Sequence, residues 1–219
     1  MSGSSTHEGD SGGDGATAFP DQFFERVDES PDSQFYQFPR LVTHIDDATI
    51  AALTAFYAEF LPAGVRVLDL MSSWVSHLPD TDYRHVAGLG MNAEELAANP
   101  RLDERIVHDL NAEPRLPFAD RSFDRAVLAV SIQYLTRPVE VFADLARVLE
   151  PGGRVAVAMS HRCFPTKAIL AFRALPPQER VRVVGVYLHA AGYVEVDFVD
   201  RSPPQADPLW IVAGTRSGG

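Results

Sequence analysis

From residue 65 onward, short apolar runs alternate with amphipathic stretches. Val65, Val67, Leu68 and Leu70 form a run with no wet face, which predicts a short strand buried on both sides. The run breaks at Met71 into small polar residues. Trp74, Val75 and Leu78 then mark the predicted start of a helix. Further strands are predicted at His85–Leu89, from Ile106, at Ala126–Val130, Arg154–Met159, Val194–Val199 and Trp210–Ala213. Ahead of the first strand, Asp46 or Asp47 can cap a helix running to about Leu61. Its Ile50, Leu53, Phe56, Tyr57 and Phe60 share one face, and Pro62 and Gly64 end it. Other helices are predicted at Glu94–Ala98, at 138–149 until Glu150-Pro151-Gly152-Gly153 stops it, near Lys167–Leu175 and near Gln178–Ala191. Strands alternating with helices imply an α/β fold. The expectation is one three-layer α/β/α domain with a mainly parallel, seven-stranded sheet.

Composition narrows the function classes. The chain has 219 residues, is 46% hydrophobic and carries a formal charge of −11. Its 19 Lys and Arg are scattered, so no nucleic-acid partner is expected. The one cysteine, Cys163, excludes an internal disulfide and points to a reducing, cytoplasmic setting. No apolar run suits a membrane span or a signal peptide, so no membrane partner is expected. Residues 1–18, rich in Gly, Ser and acid, read as a disordered tail. Residues 19–45 read as a lid or cap, and 46–219 as the ligand-binding domain. The composition does not bear on oligomeric state.

The 19–45 segment holds five Phe and Tyr36 among Pro20, Pro31 and Pro39. One reading is that these aromatics only cover the core. The other places Tyr36, Arg40 and His44 in a site beneath the segment, Arg40 clamping a carboxylate through its planar fork.

Residues 109–159 carry Leu116-Pro117-Phe118 with Ser122-Phe123-Asp124, then Arg147-Val148-Leu149, then Pro151-Gly152-Gly153 before a strand. In this order and spacing they resemble the class I, Rossmann-like S-adenosylmethionine-dependent methyltransferases, in particular the small-molecule branch called type 11. The resemblance spans roughly residues 46–216. It implies S-adenosylmethionine as co-substrate and a small-molecule acceptor. It places Asp109 on the adenine amino group, the Leu110 N–H on the ring, and Asp69 and Ser131 near the methionine ammonium. There are two departures. The glycine-rich loop expected after Asp69 is MSSWVSH, so Ser72 and Ser73 must take over its contacts. The acidic residue expected at the end of the second strand falls at Gly90, with Asn92 the nearest substitute and Glu94 further along.

Candidate bases are His161, after the fifth strand, with Tyr36, His44 and Tyr134. Cys163 reads as a buried cysteine, and His161-Arg162-Cys163 lacks the second ligand pair a metal site needs, so no metal is expected. Three functions stay open: small-molecule methyl transfer; cleavage of another carbon–sulfur bond of S-adenosylmethionine, releasing methylthioadenosine; and a non-catalytic binding protein on the same fold.

Overall fold

The computed structural model describes residues 19–218, and the predicted tail at 1–18 lies outside them. Seven strands form one sheet: β1 Arg66–Leu70, β2 His85–Gly90, β3 Glu104–Val107, β4 Phe123–Ala129, β5 Leu149–Met159, β6 Tyr193–Asp200 and β7 Trp210–Arg216. Their spatial order is β3-β2-β1-β4-β5-β7-β6. The first five run parallel, and β7 is antiparallel to both of its neighbours. The helices are α1 Asp32–Phe35, α2 Asp47–Phe60, α3 Ala93–Ala98, α4 Pro138–Val148, α5 Leu170–Ala174 and α6 Pro177–Ala190. On one face of the sheet α4 and α6 bury Val141, Phe142, Leu145, Val184 and Leu188. On the other, α2 and α3 bury Leu53, Phe56, Tyr57 and Leu96. Asp46 caps α2 by accepting the Thr49 N–H at 2.9 Å.

One element expected from the sequence is missing. No helix follows β1; residues 71–84 are irregular up to the start of β2. A parallel crossover needs a dozen or more residues, and this stretch has little beyond that minimum. Met71 (φ 59°) and His77 (φ 55°) take left-handed backbone, and Pro79 follows. Ser72 and Ser76 turn their hydroxyls onto Asp69 instead of lining a helix. Leu78 is still buried, so the apolar spacing reflects packing without helix.

Residues 19–45 are fastened by charge as well as by aromatic packing. Phe19 and Phe24 meet Tyr187, with ring centroids 4.8 and 6.3 Å apart. Lys167, 0% exposed, donates to the Ser30 carbonyl at 2.6 Å and lies 3.1 Å from Asp32 Oδ1 and 3.3 Å from Asp28 Oδ2. Arg26 Nη1 grips both oxygens of Asp32. A buried ammonium persists only when its charge and its donors are met, and here both are. Lys167 precedes α5, which is shorter than the helix expected from Lys167.

Candidate ligand-binding cleft

A cleft opens at the carboxyl ends of the central strands, where open α/β sheets take their ligands. Ser72, Ser73 and Gly90 form its floor. Asp109, Leu110 and Asn111 form one wall, and Ala129, Val130 and Ser131 another. Asp32, Tyr36, Arg40 and His44 come over it from the N-terminal segment, and Phe164 comes from beyond β5.

The floor is held from below. The Ser72 N–H donates to the Leu89 carbonyl at 2.7 Å. The Ser72 and Ser76 hydroxyls both donate to Asp69 Oδ2, at 2.6 and 2.5 Å. Asn99 Nδ2 donates to Ser76 Oγ and to the Ser73 carbonyl. Asp69 is 3% exposed, and burial pushes its carboxyl up to about 6 even though the two hydroxyls pull it down. Glu95 reaches the cleft from the first turn of α3. Its Oε1 accepts the Arg40 N–H at 2.7 Å and its Oε2 the Ser73 hydroxyl at 2.5 Å. Each carboxylate oxygen keeps a second lone pair for a ligand.

Above the floor, Arg40 Nη2 donates to the Phe35 carbonyl at 2.8 Å, and the guanidinium lies 4.4 Å from the Phe35 ring centre. Arg40 Nη1 and Ser131 Oγ are buried without a hydrogen-bond partner. Asp109 Oδ1 accepts the Asn111 and Ala112 N–H groups, and Oδ2 has no donor among the described residues. Asn111 ties the parts together: Nδ2 donates to Asp32 Oδ2 and the Tyr134 carbonyl, and Oδ1 accepts from Thr136. Val130 has φ 52°, a strained value for a β-branched residue and one that tends to occur at functional sites.

The titratable groups differ in what they can do. Burial raises both tyrosines, Tyr36 far and Tyr134 to about 12, and the Tyr134 hydroxyl already accepts the Phe164 N–H at 2.8 Å. His44 is lowered by burial, so its imidazole is neutral at physiological pH. Its ring makes an edge contact with Phe164, centroids 5.3 Å apart.

Residues 71–157 match a family described as "Methyltransferase domain". The strand order and the cleft agree with that match. Over these residues, about 40% of the chain, the protein is similar to methyltransferase domains, and the solved structures below share its fold. A methyltransferase of Streptomyces halstedii, GfsG, is 38% identical over 66 residues, which are 30% of this chain and 24% of that protein. The chain thus spans about a quarter of that relative's length. Among solved structures, the [4+2]-cyclase SpnF superposes with a TM-score of 0.60 at 18% identity, covering 85% of this chain and 92% of that one. An S-adenosylmethionine-dependent methyltransferase from Mesorhizobium loti gives 0.55 at 16% identity, covering 77% and 100%.

The fold brings Tyr36, Arg40, His44, Ser72, Ser73, Asp109, Leu110, Ser131 and Tyr134 to the cleft. Three other candidates lie elsewhere. Asp69 sits beneath the floor, covered by its two serine donors, and does not line the cleft. Asn92 is committed as the cap of α3: its Oδ1 accepts from Glu94 and Glu95, and its Nδ2 donates to the Tyr36 carbonyl. His161 is half-exposed outside the cleft, turned toward Asp207 with Nε2 3.4 Å from Oδ1. Cys163, expected to be buried, is exposed.

Sequence reading missed Glu95, Asp32, Asn111 and Phe164. Glu95 stands at the third helical position after Asn92, where an acid reads as a capping box, so its reach into the cleft was masked. Asp32 opens a one-turn helix with no apolar pattern to flag it. Among the described residues, no group of His, Cys, Asp and Glu could hold a metal ion, and no helix is long and apolar enough to cross a membrane.

Proposed function

We propose that the cleft binds S-adenosylmethionine and that the protein methylates a small molecule. The observation that carries this is the pair of orphaned polar atoms, Arg40 Nη1 and Ser131 Oγ, on residues that line the cleft beside the unshared Asp109 Oδ2. Each unmet buried polar atom costs about 1–3 kcal/mol, more if charged, and a ligand bonded to it recovers that energy. The donor set fits the co-substrate. Asp109 and the Leu110 N–H suit the adenine edge, Glu95 the ribose hydroxyls and Arg40 the carboxylate. When bound, S-adenosylmethionine supplies an electrophilic methyl group on sulfonium.

The chain's own residues then orient the acceptor, exclude water and take its proton. Of the four candidate bases, His44 suits the last task. His161 lies outside the cleft, and both tyrosines hold their protons too firmly. A small acceptor agrees with a cleft covered by residues 32–44. In this proposal residues 19–45 act as the lid, 46–219 as the binding domain, and the free cysteine suits a cytoplasmic setting.

A second reading rests on one observation. The stretch after β1 has neither helix nor glycine, so the methionine arm meets an altered floor. That leaves open cleavage of another carbon–sulfur bond, which incubation with S-adenosylmethionine alone would reveal as methylthioadenosine.

The deciding experiment is calorimetric titration with S-adenosylhomocysteine, then with adenosine and 2′,3′-dideoxyadenosine. Micromolar binding of the first is expected, with adenosine preferred over its dideoxy analogue by about tenfold. The preference should shrink below about threefold in Glu95→Gln, since the lost ribose contacts go to a charged acceptor. No heat at millimolar ligand would remove the proposal, together with the non-methylating reading.

A further inference from the structure

A second chamber of about 200 Å³ lies against the cleft. Four residues line both spaces: His44, Val130, Tyr134 and Phe164. The partition is therefore one side chain thick, and the strained Val130 stands in it. The far side of the chamber is made by Thr43, Arg162 and Cys163. Its walls thus combine flat apolar rings, one neutral imidazole and one guanidinium.

The half-exposed Arg162 side chain is tethered at one point. Its Nε lies 2.7 Å from Asp207 Oδ2. Asp207 is itself fixed, because its Oδ2 accepts the Asp46 N–H at 3.0 Å and its own N–H donates to Asp46 Oδ2. Gripped at Nε, the guanidinium makes no hydrogen bond through its two terminal nitrogens among the described residues. A fork held at its root with free donors at its tips is suited to a carboxylate. Tyr134 and Phe164 stack with centroids 5.9 Å apart at 28°, presenting flat surfaces to an unsaturated ring. His44, whose ring makes no hydrogen bond among the described residues, can receive a hydroxyl at the partition.

We infer that this chamber is the acceptor site, and that it takes a small, flat hydroxy acid whose carboxylate is held by Arg162 and whose hydroxyl meets His44. The assignment to an acceptor rests on the reading of the cleft as the co-substrate site. The binding of a carboxylate in the chamber does not.

Cys163 makes the site measurable, because it is the chain's one cysteine and it is exposed in the chamber wall. The probe is 4-hydroxybenzoate, with the neutral 4-hydroxybenzamide as control. The readout is the rate at which neutral iodoacetamide alkylates Cys163, followed by mass spectrometry. Saturating 4-hydroxybenzoate should slow alkylation about tenfold while the amide at equal concentration leaves it nearly unchanged. Arg162→Gln should abolish the protection, and thermal unfolding of that variant shows that it is folded. Equal protection by acid and amide, no protection at millimolar acid, or protection that survives Arg162→Gln overturns the site. Titration with S-adenosylhomocysteine reads the cleft independently. Nucleoside binding without protection discards the chamber alone. Protection without nucleoside binding keeps the carboxylate site and discards its role as the acceptor's.

Discussion

The carbonyl oxygen of Ser72 occupies the place where a side chain on Gly90 would begin: a Cβ there would lie 2.1 Å away. The end of β2 is thus closed to any side chain, acidic or not, by the backbone of the irregular stretch that follows β1. The serine floor and Gly90 form one unit. With position 90 closed, Glu95 supplies the carboxylate on that side of the cleft from α3.

Gly90→Ala forces either the floor or β2 to move. The contact is with backbone, which cannot swing aside as a flexible side chain would. Chemical denaturation should show a loss of about 2–4 kcal/mol. A loss below about 1 kcal/mol would mean that residues 71–76 shift freely, contrary to the tight bonding of Asp69.

Lys167→Met removes the charge and keeps much of the volume. Asp28 and Asp32 then lose their shared cation, and breaking a buried pair from one side typically costs about 3–5 kcal/mol. Arg26 still holds Asp32, so the damage should concentrate on residues 19–45. Limited proteolysis should cut this segment much faster in the variant while the sheet stays resistant. Unchanged cleavage would show that Phe19 and Phe24 hold the segment without the ion cluster.

Asp69→Asn tests the buried carboxyl through pH. Its folded pKa, about 6, stands above the ordinary 3.8 because burial disfavours the charge. Its contribution to stability is therefore fully present below about 3.8, declines as pH rises toward 6, and is flat beyond. The whole decline corresponds to about 3 kcal/mol. Urea unfolding from pH 4 to 7 should show the variant gaining on the parent across that window and then running parallel. A parent that gains on the variant as pH rises would mean that the carboxylate form is the favoured one.

Much of the sheet was legible because buried strands leave plain marks, such as the run from Val67 to Leu70 or from Ala126 to Val130. The missing helix was not, because Trp74 and Leu78 have helical spacing for a tertiary reason: Leu78 is buried from an irregular backbone. The N-terminal cleft residues could be picked out as Tyr36, Arg40 and His44, chemistry-bearing side chains in a proline-broken segment. Lys167 could not, since lysine is so rarely fully buried that its default reading is surface. His161 was misplaced because a strand's end fixes where the backbone arrives, and Asp207, supplied by a distant loop, decides where the ring turns.

The fastening of the N-terminal segment also sets a schedule for the newborn chain. Asp28 and Lys167 are 139 residues apart in sequence. At roughly 5–20 residues per second, the ribosome needs on the order of ten seconds to make the second after the first. Throughout that interval Asp28, Asp32 and the aromatic residues around them wait without their partner. The roof of the cleft can close only after β1 to β5 have been made, so a ligand that meets the chain during synthesis finds an open sheet edge before it finds a site.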